Sequence, residues 1–325
     1  MRSAAVVVPV YGAAAYLDQC VASLLNQDYG NYHIWLVDDL STDGSWEIAQ
    51  RWAGEHPDRI TLMRNEENLG QGRSRMRAVA ASDAEYILFV DSDDYVAPDY
   101  ISAFMRANTG NEDVIIAGHT RDTDGRKAEV RVPDSPYTPA LYAVACCKMF
   151  RRAFLTENGI DFSDSRKGED IYFNLAAVIC GARVRVIDYF GYFYRLNRAS
   201  TTKSMTWQTN FEETVMAMFA RLRGTFGDRV LTPQTREILE YAYAANIANA
   251  LIVYDHGCGP RRMREKRAAV DRDIREGWPD LMRNRQLRFL RPKGVSLKIR
   301  LGVGAFYWSR RLRLDGRLFG LRSLV

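Results

Sequence analysis

Apolar runs and helical periods alternate along the first hundred residues of the chain. Four apolar runs of strand length are separated by segments in which apolar residues recur every three or four positions, as Leu17, Val21 and Leu24 do. The predicted strands are Ala4–Val10, His33–Val37, Ile60–Met63 and Tyr86–Val90. Regular alternation of strands and helices predicts an α/β fold with a mostly parallel sheet and helices on both faces.

Beyond Pro98 the pattern is mixed at first and then helical. It predicts helices over 100–106, 141–155 and 171–180, strands over 114–117, 184–187 and 192–195, and a mobile polar excursion over 120–138. From Trp207 onward the periods are helical, over 211–223, 233–255 and 261–275. We therefore expect an α/β domain over residues 1–205, a helical region over 206–280 and a basic amphipathic tail over 281–325.

The charge of the chain is unevenly distributed. The 325 residues carry 45 Lys and Arg against 40 Asp and Glu, and twelve of the basic residues fall in 281–325 with a single acid, Asp315. The five cysteines show no CxxC spacing, which favours free thiols in a reducing compartment. No run of eighteen apolar residues is present, and we interpret the apolar N-terminus as a first strand rather than an export signal. These features predict a cytoplasmic protein.

Two acidic clusters directly follow predicted strands. Asp91, Asp93 and Asp94 follow the fourth strand, and Asp38 and Asp39 follow the second. Ligands of parallel sheets bind at the carboxyl ends of the strands. The first cluster is therefore either a capped turn or a divalent-metal site that grips phosphates. The second is either a capping turn or an acceptor of hydrogen bonds from a nucleobase or ribose.

Two further polar segments leave a similar choice. In "NLGQGRSRMR" the arginines either form a solvated basic face or place one guanidinium near a phosphate. In "RKGEDIYFN", Glu169 and Asp170 are either acids stabilised by a helix dipole or a carboxylate poised as a general base. The chain has neither GxGxxG nor a Walker P-loop, so nicotinamide chemistry and Walker-type ATP hydrolysis have no support.

Four segments of the first 205 residues resemble a known family. These are "VVVPVYGAAAYLDQCVASLLNQDYGNYHIWLVDDLSTDGS", "NEENLGQGRSR", "ILFVDSDD" and "GEDIYFNL". In this order and at these spacings they resemble the family 2 glycosyltransferases, in particular those of bacterial cell-wall and capsular polysaccharides. The resemblance implies a Rossmann-like GT-A fold that binds a nucleotide-diphosphate sugar together with Mn²⁺ or Mg²⁺.

The resemblance also implies roles for individual residues. Among the implied donor-binding residues, Pro9 and Tyr11 lie beside the nucleobase, and Asp39 accepts a hydrogen bond from the base ring N–H. Arg75 lies near the nucleotide, and Asp91 and Ser92 belong to the DxD motif. Arg198 and Ser200 lie with Arg195 and Thr201 in a loop that closes over the diphosphate. Asp93 and Asp91 are the implied metal ligands, with Asp93 the direct one. Asp170 is the implied catalytic base, with Glu169 beside it. The chain departs from the family pattern at Leu40, Met76 and Ala78, and has Cys147-Lys148 where the family usually has Asn-Lys.

What the resemblance implies is an inverting hexosyl- or N-acetylhexosaminyl-transferase. The sugar would pass from a nucleotide-diphosphate donor, a UDP-sugar by preference, to a hydroxyl of a cell-envelope polysaccharide, wall polymer or lipid-linked acceptor. Two other functions stay open. One is a non-catalytic nucleotide-sugar-binding or scaffolding module of a polymer synthase. The other is a nucleotidyltransferase, which needs a different phosphate-binding loop.

The basic tail admits three interpretations. It interleaves Arg and Lys with Leu, Phe, Tyr and Trp, so it can pack on the body as a solvated helical face. Nucleic-acid binding fits the charge, but the acidic body and the missing fold motif argue against it. Attachment to an anionic membrane surface fits best, because basic residues are attracted to anionic lipid and aromatic residues insert at the interface. We therefore expect a protein that is peripheral on the inner face of the plasma membrane.

Overall fold

The computed structural model describes residues 2–162, 167–196, 210–254 and 258–312. The chain forms two compact units. Residues 1–134 and 143–197 make up the first unit, and residues 135–142 and 198–325 make up the second. The domain borders expected after residues 205 and 280 stay a prediction.

A seven-stranded sheet forms the centre of the first unit. Its strands are β1 (Ala4–Val10), β2 (Tyr32–Asp38), β3 (Ile60–Arg64), β4 (Tyr86–Phe89), β6 (Val114–Ala117), β9 (Lys148–Arg151) and β10 (Val184–Ile187), in the order β10-β6-β9-β4-β1-β2-β3. Neighbouring strands are parallel except around β9, which is antiparallel to both β4 and β6. Every residue of β1 and β4 is buried, which explains why these strands are continuous apolar runs without alternation.

The helices of the first unit follow the strands as the periodicity predicts. They are α1 (Leu17–Leu25), α2 (Ser45–Glu55), α3 (Gln71–Ala81), α4 (Tyr100–Ala107), α6 (Arg152–Glu157) and α7 (Glu169–Ile179). Helix α3 packs against β1 and β2, and α2 packs against β2 and β3. The carboxylate of Asp43 accepts a hydrogen bond from the Ser45 hydroxyl at 2.6 Å, just before the first turn of α2.

Two sequence predictions for the first unit are wrong. Residues 141–155 were expected to be helical, but Lys148–Arg151 is strand β9 and the helix α6 begins only at Arg152. The apolar run of a fully buried central strand cannot be distinguished from a buried helix by periodicity alone. Only the pairing with β4 and β6 on both sides decides the conformation of this segment.

The second wrong prediction is the mobile excursion over 120–138. A smaller sheet, in the order β5-β11-β7-β8, includes the hairpin of β7 (His119–Thr123) and β8 (Arg126–Val130), with β5 (Tyr95–Val96) and β11 (Tyr192–Arg195) beside it. The turn residues Asp124 and Gly125 both have positive φ, as the Asp-Gly pair of a type I′ hairpin turn requires. This dipeptide was the available signal. It was obscured because β8 is exposed and charged along most of its length.

The second unit is mostly helical, as expected. Its helices are α5 (Thr138–Leu141), α8 (Phe211–Phe226), α9 (Pro233–Asn249), α10 (Pro260–Gly277) and α11 (Leu297–Arg311). Helix α9 begins at Pro233 after an N-cap in which the Thr232 hydroxyl accepts from the Thr235 N–H, and it continues as a π-helical turn over Ala250–Tyr254. None of the helices in the described ranges has both the length and the apolar composition needed to cross a membrane.

Candidate active site

Three neighbouring parallel strands end at the same edge of the main sheet. Strand β1 lies between β2 and β4 and is parallel to both, so Tyr11, Asp39 and Asp91 follow strands at one edge. The Asp39 N–H donates to the Val10 carbonyl at 2.8 Å, which joins the first two strand ends. Pro9 is buried in β1, whereas Tyr11 is 60% exposed. An exposed ring beside a polar strand end is available to a ligand.

The carboxylate of Asp39 organises the loop that precedes α3. It accepts from the Asn65 side-chain amide at 2.6 Å and from the Leu69 and Gly70 N–H groups, each at 2.8 Å. An ionised carboxylate offers about four acceptor positions, so one remains after these three bonds. The buried Asp39 therefore holds the "NLG" turn in place and retains acceptor capacity at the sheet edge.

A single buried guanidinium connects the Asp91 cluster to Asp170. Arg75, on the buried face of α3, donates to Asp91 Oδ1 at 2.6 Å and to Asp170 Oδ1 at 3.0 Å. Its guanidinium carbon lies 5.7 Å from the centre of the Phe89 ring and 5.3 Å from that of Phe162. Burial lowers the pKa of Arg75, but the charges of Asp170 and Asp91 outweigh it and raise the pKa overall, so the side chain stays cationic.

Helix α7 presents its first two residues to this guanidinium. It begins at Glu169 after Gly168, which has φ +74°, and both acids lie in the first turn, where the helix dipole favours negative charge. Burial raises the pKa of Asp170, and Arg75 opposes that change. Among the described residues, the second oxygen of Asp170, Oδ2, accepts a single hydrogen bond, from the Ala145 N–H at 3.3 Å. This leaves an oxygen that can take a proton.

Glu169 is more deeply buried than Asp170 and faces the start of α3. Burial raises its pKa to about 7, with partial opposition from Arg75. A Cβ at Gly72 would lie 2.8 Å from Glu169 Oε2 and 2.6 Å from the Cβ of Phe162. Glycine is therefore required at position 72 for α3 to approach the beginning of α7.

The three aspartates after β4 have different surroundings. Asp94 is fully buried, and it accepts from the Tyr192 hydroxyl at 2.6 Å and from the Arg195 N–H at 2.7 Å. Burial, followed by the charges of Asp91 and Asp93, raises the pKa of Asp94 to about 8. Its bonds to β11 join the acidic loop to the smaller sheet. Asp94 is thus a structural member of the cluster.

Asp91 and Asp93 are the members suited to a divalent cation. No group of three or more His, Cys, Asp or Glu side chains in the described part of the chain is arranged to hold a metal ion by itself. Burial and the charge of Asp91 raise the pKa of Asp93 to about 6, and a cation would relieve this unfavourable ionisation. Two carboxylates and the phosphates of a bound nucleotide are a ligand set that Mg²⁺ accepts, with water completing it. The residues present therefore fit such an ion.

The structure adds residues for which the sequence analysis had no role or only a weak one. Lys148 is buried, and its ammonium donates to the Val144 carbonyl at 2.7 Å and to Asn174 Oδ1 at 2.5 Å. Asn174 in turn donates to the Asp170 carbonyl at 2.7 Å. Burial lowers the pKa of Lys148 to about 8. This chain of bonds holds the 144–148 segment against the first turn of α7.

The remaining predicted residues are divided between the cluster and the undescribed ranges. Ser92 is buried between Asp91 and Asp93 in the strand-end loop. Arg195, at the end of β11, packs its guanidinium over the rings of Tyr16 and Tyr95. Arg198, Ser200 and Thr201 lie outside the residues that the structure describes. The donor-closing loop therefore stays a prediction.

Residues 5–159 match the model of glycosyl transferase family 2, so this segment is a domain of that family. A poly(ribitol-phosphate) beta-glucosyltransferase of Bacillus spizizenii is 28% identical over an alignment of 215 positions, which covers 62% of this chain and 33% of that protein. This chain therefore spans a third of the length of that relative.

Solved structures resemble nearly the whole chain. TarS 1-349 of S. aureus has a TM-score of 0.69 at 18% identity and covers 96% of this chain and 92% of its own, and its complex with UDP-GlcNAc has a TM-score of 0.63. Mannosyltransferase PcManGT of Pyrobaculum calidifontis, in complex with GDP-Man and Mn2+, has a TM-score of 0.59 at 17% identity and covers 99% of this chain and 86% of its own. These likenesses confirm the predicted GT-A fold.

Proposed function

We propose that this protein is an inverting glycosyltransferase that uses a nucleotide-diphosphate sugar and Asp170 as the base. The observation that carries the proposal is the Arg75 bridge, which connects Asp91 of the DxD segment to Asp170 through one guanidinium. In this proposal Asp91 faces the donor and Asp170 faces the acceptor, and both are bonded to the Arg75 guanidinium. The match of residues 5–159 to family 2 and the strand-edge position of both acidic clusters support the same function.

In this proposal each residue has a chemical role. Tyr11 and the remaining acceptor position of Asp39 contact the nucleobase. Asp170 Oδ2 takes the proton of the acceptor hydroxyl, while Arg75 keeps Oδ1 oriented away from that proton. The acceptor oxygen forms a bond to the anomeric carbon from the face opposite the diphosphate, and the bond to the diphosphate oxygen breaks, which inverts the anomeric configuration.

Asp93 and Asp91 are the residues that would hold Mn²⁺ or Mg²⁺ in this reaction. When bound, such an ion supplies positive charge against the diphosphate leaving group. The complex of PcManGT with Mn2+ supports a divalent ion in this fold. The raised pKa of Asp93 supports the same assignment, because a bound cation would offset the burial and the charge of Asp91 that oppose its ionisation.

The donor and acceptor follow from what the similar proteins bind. TarS was solved with UDP-GlcNAc, and the Bacillus relative is named for poly(ribitol phosphate). We assign to this chain a UDP-sugar donor carrying a hexosyl or N-acetylhexosaminyl group, and a cell-envelope polysaccharide, wall polymer or lipid-linked acceptor. Nucleic acid is not a partner in this proposal.

Peripheral attachment to an anionic membrane on the cytoplasmic side belongs to the same proposal. Helix α11 exposes an apolar stripe at positions that share one helical face, namely Leu297, Leu301, Trp308 and Leu312. Lys298 and Arg311 flank the stripe and are exposed as well. An apolar stripe bordered by basic residues is the arrangement of helices that lie in a membrane interface.

Replacement of the base tests the proposed reaction. We expect Asp170→Asn to reduce sugar transfer at least a hundredfold, because general-base catalysis contributes about 10²–10⁴ in rate. Donor binding, measured as thermal stabilisation by a UDP-sugar panel with Mn²⁺, should remain nearly intact. The exposed Asp83→Asn is the matched control and should leave both unchanged. Undiminished transfer by the Asp170 variant would overturn the assignment of the base.

Replacement of the metal ligand tests the donor site separately. We expect Asp93→Ala to lose the stabilisation by UDP-sugar that depends on Mn²⁺, because one of two carboxylate ligands is gone. Unaltered metal dependence in this variant would contradict the assignment of Asp93. Donor hydrolysis and transfer, each assayed with and without metal, also separate the alternatives. A binding module shows no turnover, and a nucleotidyltransferase releases diphosphate instead of a nucleoside diphosphate.

A further inference from the structure

A cavity of about 830 Å³ lies within the second unit. Its wall is formed by the first turns of α9, the short 3₁₀ turns Leu281–Arg283 and Arg285–Leu287, and the segment that leads to α11. Cavities of a few hundred to a thousand Å³ are typical of sites for small ligands or for segments of a polymer. We call it the arginine cavity because Arg236, Arg283, Arg285 and Arg291 line it.

The acidic residues of the arginine cavity are already engaged by the protein. Glu237 accepts from the Tyr137 hydroxyl at 2.7 Å, and the buried Glu240 accepts from the Asn284 side-chain amide at 3.0 Å. Burial raises the pKa of Glu240. Asp280 forms an ion pair with Arg283 at 2.8 Å. One acid thus offsets one arginine, and the other two acids are turned to protein donors.

Three arginines remain available to a ligand. Within the described ranges, Arg236, Arg285 and Arg291 form no ion pair, and all three are exposed at the cavity. A guanidinium presents a planar fork of N–H donors that matches the oxygens of a phosphate group. Three such forks around one concavity favour a ligand with several phosphate groups over a single carboxylate.

The wall that carries these arginines is held in place by buried polar contacts. Asn284 is only 8% exposed, and its amide donates to the Glu237 carbonyl at 3.0 Å as well as to Glu240. Its side-chain oxygen accepts from the Gln286 N–H at 2.9 Å, which caps the second 3₁₀ turn. The segment between Arg283 and Arg285 is therefore fixed to α9, and the cavity is a preformed feature of the unit.

We propose that the arginine cavity binds phosphodiester groups of an anionic acceptor polymer. The inference rests on the proposed function in one respect, that the acceptor is a wall polymer of the phosphate-bearing kind. Binding at this site would retain a long acceptor on the protein between transfers. It would also let the chain select phosphate-bearing acceptors over neutral polysaccharides of the same sugar.

Polymer binding without donor tests the proposal on the full chain. The probes are poly(ribitol phosphate), pyrophosphate and neutral dextran, each titrated by calorimetry at low and high salt. We expect the double variant Arg285→Gln/Arg291→Gln to bind poly(ribitol phosphate) about tenfold more weakly, since hydrogen bonds to charged groups are the strong ones. The pair Arg264→Gln/Arg272→Gln, exposed on α10, is the matched control and should bind like the unaltered protein.

Several outcomes would overturn the proposal. These are an unchanged affinity in the double variant, an equal loss in the control pair, dextran binding as tight as that of the polymer, or binding of pyrophosphate without binding of the polymer. Thermal stabilisation by UDP-sugar should be the same in both double variants and in the unaltered chain. Failure of the proposed reaction is distinguishable, because sugar transfer would then be absent even where the polymer binds and the arginine variants weaken it.

Discussion

At the scale of single residues, Arg75 meets two opposing physical requirements. Its side chain is 1% exposed, and an uncompensated charge at such a position would be very costly. Asp91 and Asp170 supply the compensation, each on a different N–H of the guanidinium. A lysine could not replace it, because an ammonium is a point charge without the planar fork that spans two carboxylates. Arg75 therefore determines the spacing of the two acidic segments.

Glu169 gives a pH-dependent prediction at the same scale. Burial raises its pKa from 4.5 to about 7, so the folded protein binds this proton more tightly than the unfolded chain. Stability from this group is fully present below about pH 4.5 and is lost as pH rises toward 7. We expect Glu169→Gln to raise the free energy of unfolding at pH 8 by roughly 2 kcal/mol, and to change it little near pH 4.5. Urea unfolding at both pH values measures this difference, and an equal effect at both would contradict the assigned pKa.

At the scale of elements, the carboxylate of Asp113 links the neighbouring strands β9, β6 and β10. Asp113 lies just before β6, and its Oδ1 accepts from Arg151 of β9 at 2.6 Å. Its Oδ2 accepts from the Arg183 side chain at 2.9 Å, just before β10. Burial alone would raise the pKa of Asp113, but the bonds to Arg183 and Arg151 lower it to about 2. Asp113 thus bonds the starts of β6 and β10 to the end of β9 at this side of the main sheet.

Substitution of Asp113 should destabilise this edge in a pH-dependent way. Because the pKa is depressed in the folded state, its contribution is present above about pH 4 and is lost as pH falls toward 2. We expect Asp113→Asn to lower the free energy of unfolding at pH 7 by about 2 kcal/mol. Denaturant unfolding at pH 7 and pH 2 gives the measurement, with the exposed Asp58→Asn as control. A loss that is as large at pH 2 as at pH 7 would count against the ion-pair explanation.

The elements also show how far sequence reasoning reaches. Strands β1 and β4 were predictable because complete burial leaves a continuous apolar run, and α3 because its glycines and arginines mark a helix start. Strand β9 was not predictable, since "KMFR" gains its conformation only by inserting between β4 and β6. The Asp124-Gly125 pair was the one signal for the β7–β8 hairpin. The hairpin was missed because the exposed, charged β8 lacks the alternation that identifies a half-buried strand.

At the scale of the whole molecule, helix α11 leaves an apolar surface exposed. Helix α11 packs against α9, and its apolar stripe remains exposed on the opposite side. One face of the helix packs on the unit, as the first interpretation of the basic tail expects, and the exposed face is the one that the proposed membrane attachment would use. Residues 313–325 lie outside the described ranges, so the prediction for them is unchanged.

Vesicle binding tests this surface. We expect Leu301→Glu/Trp308→Glu to weaken binding to vesicles that contain anionic lipid at least tenfold, because buried apolar area is lost and acidic groups are added to a basic face. Val230→Glu replaces an apolar residue that is 99% exposed elsewhere in the second unit, and it serves as control. Binding that is undiminished in the double variant, or reduced as much in the control, would exclude the stripe as the contact.

The sequence by itself determined the alternation of elements, the strand-edge position of both acidic clusters and the resemblance to the family, because each depends on local spacing that can be counted along the chain. Only the tertiary structure decided which contacts each carboxylate makes. Asp94 became structural because Tyr192 and Arg195 reach it from 98 and 101 residues away. Asp91 and Asp170 became a pair because Arg75 lies between them. The properties of a carboxylate are set by its burial and by neighbouring charges, and both come from distant parts of the chain.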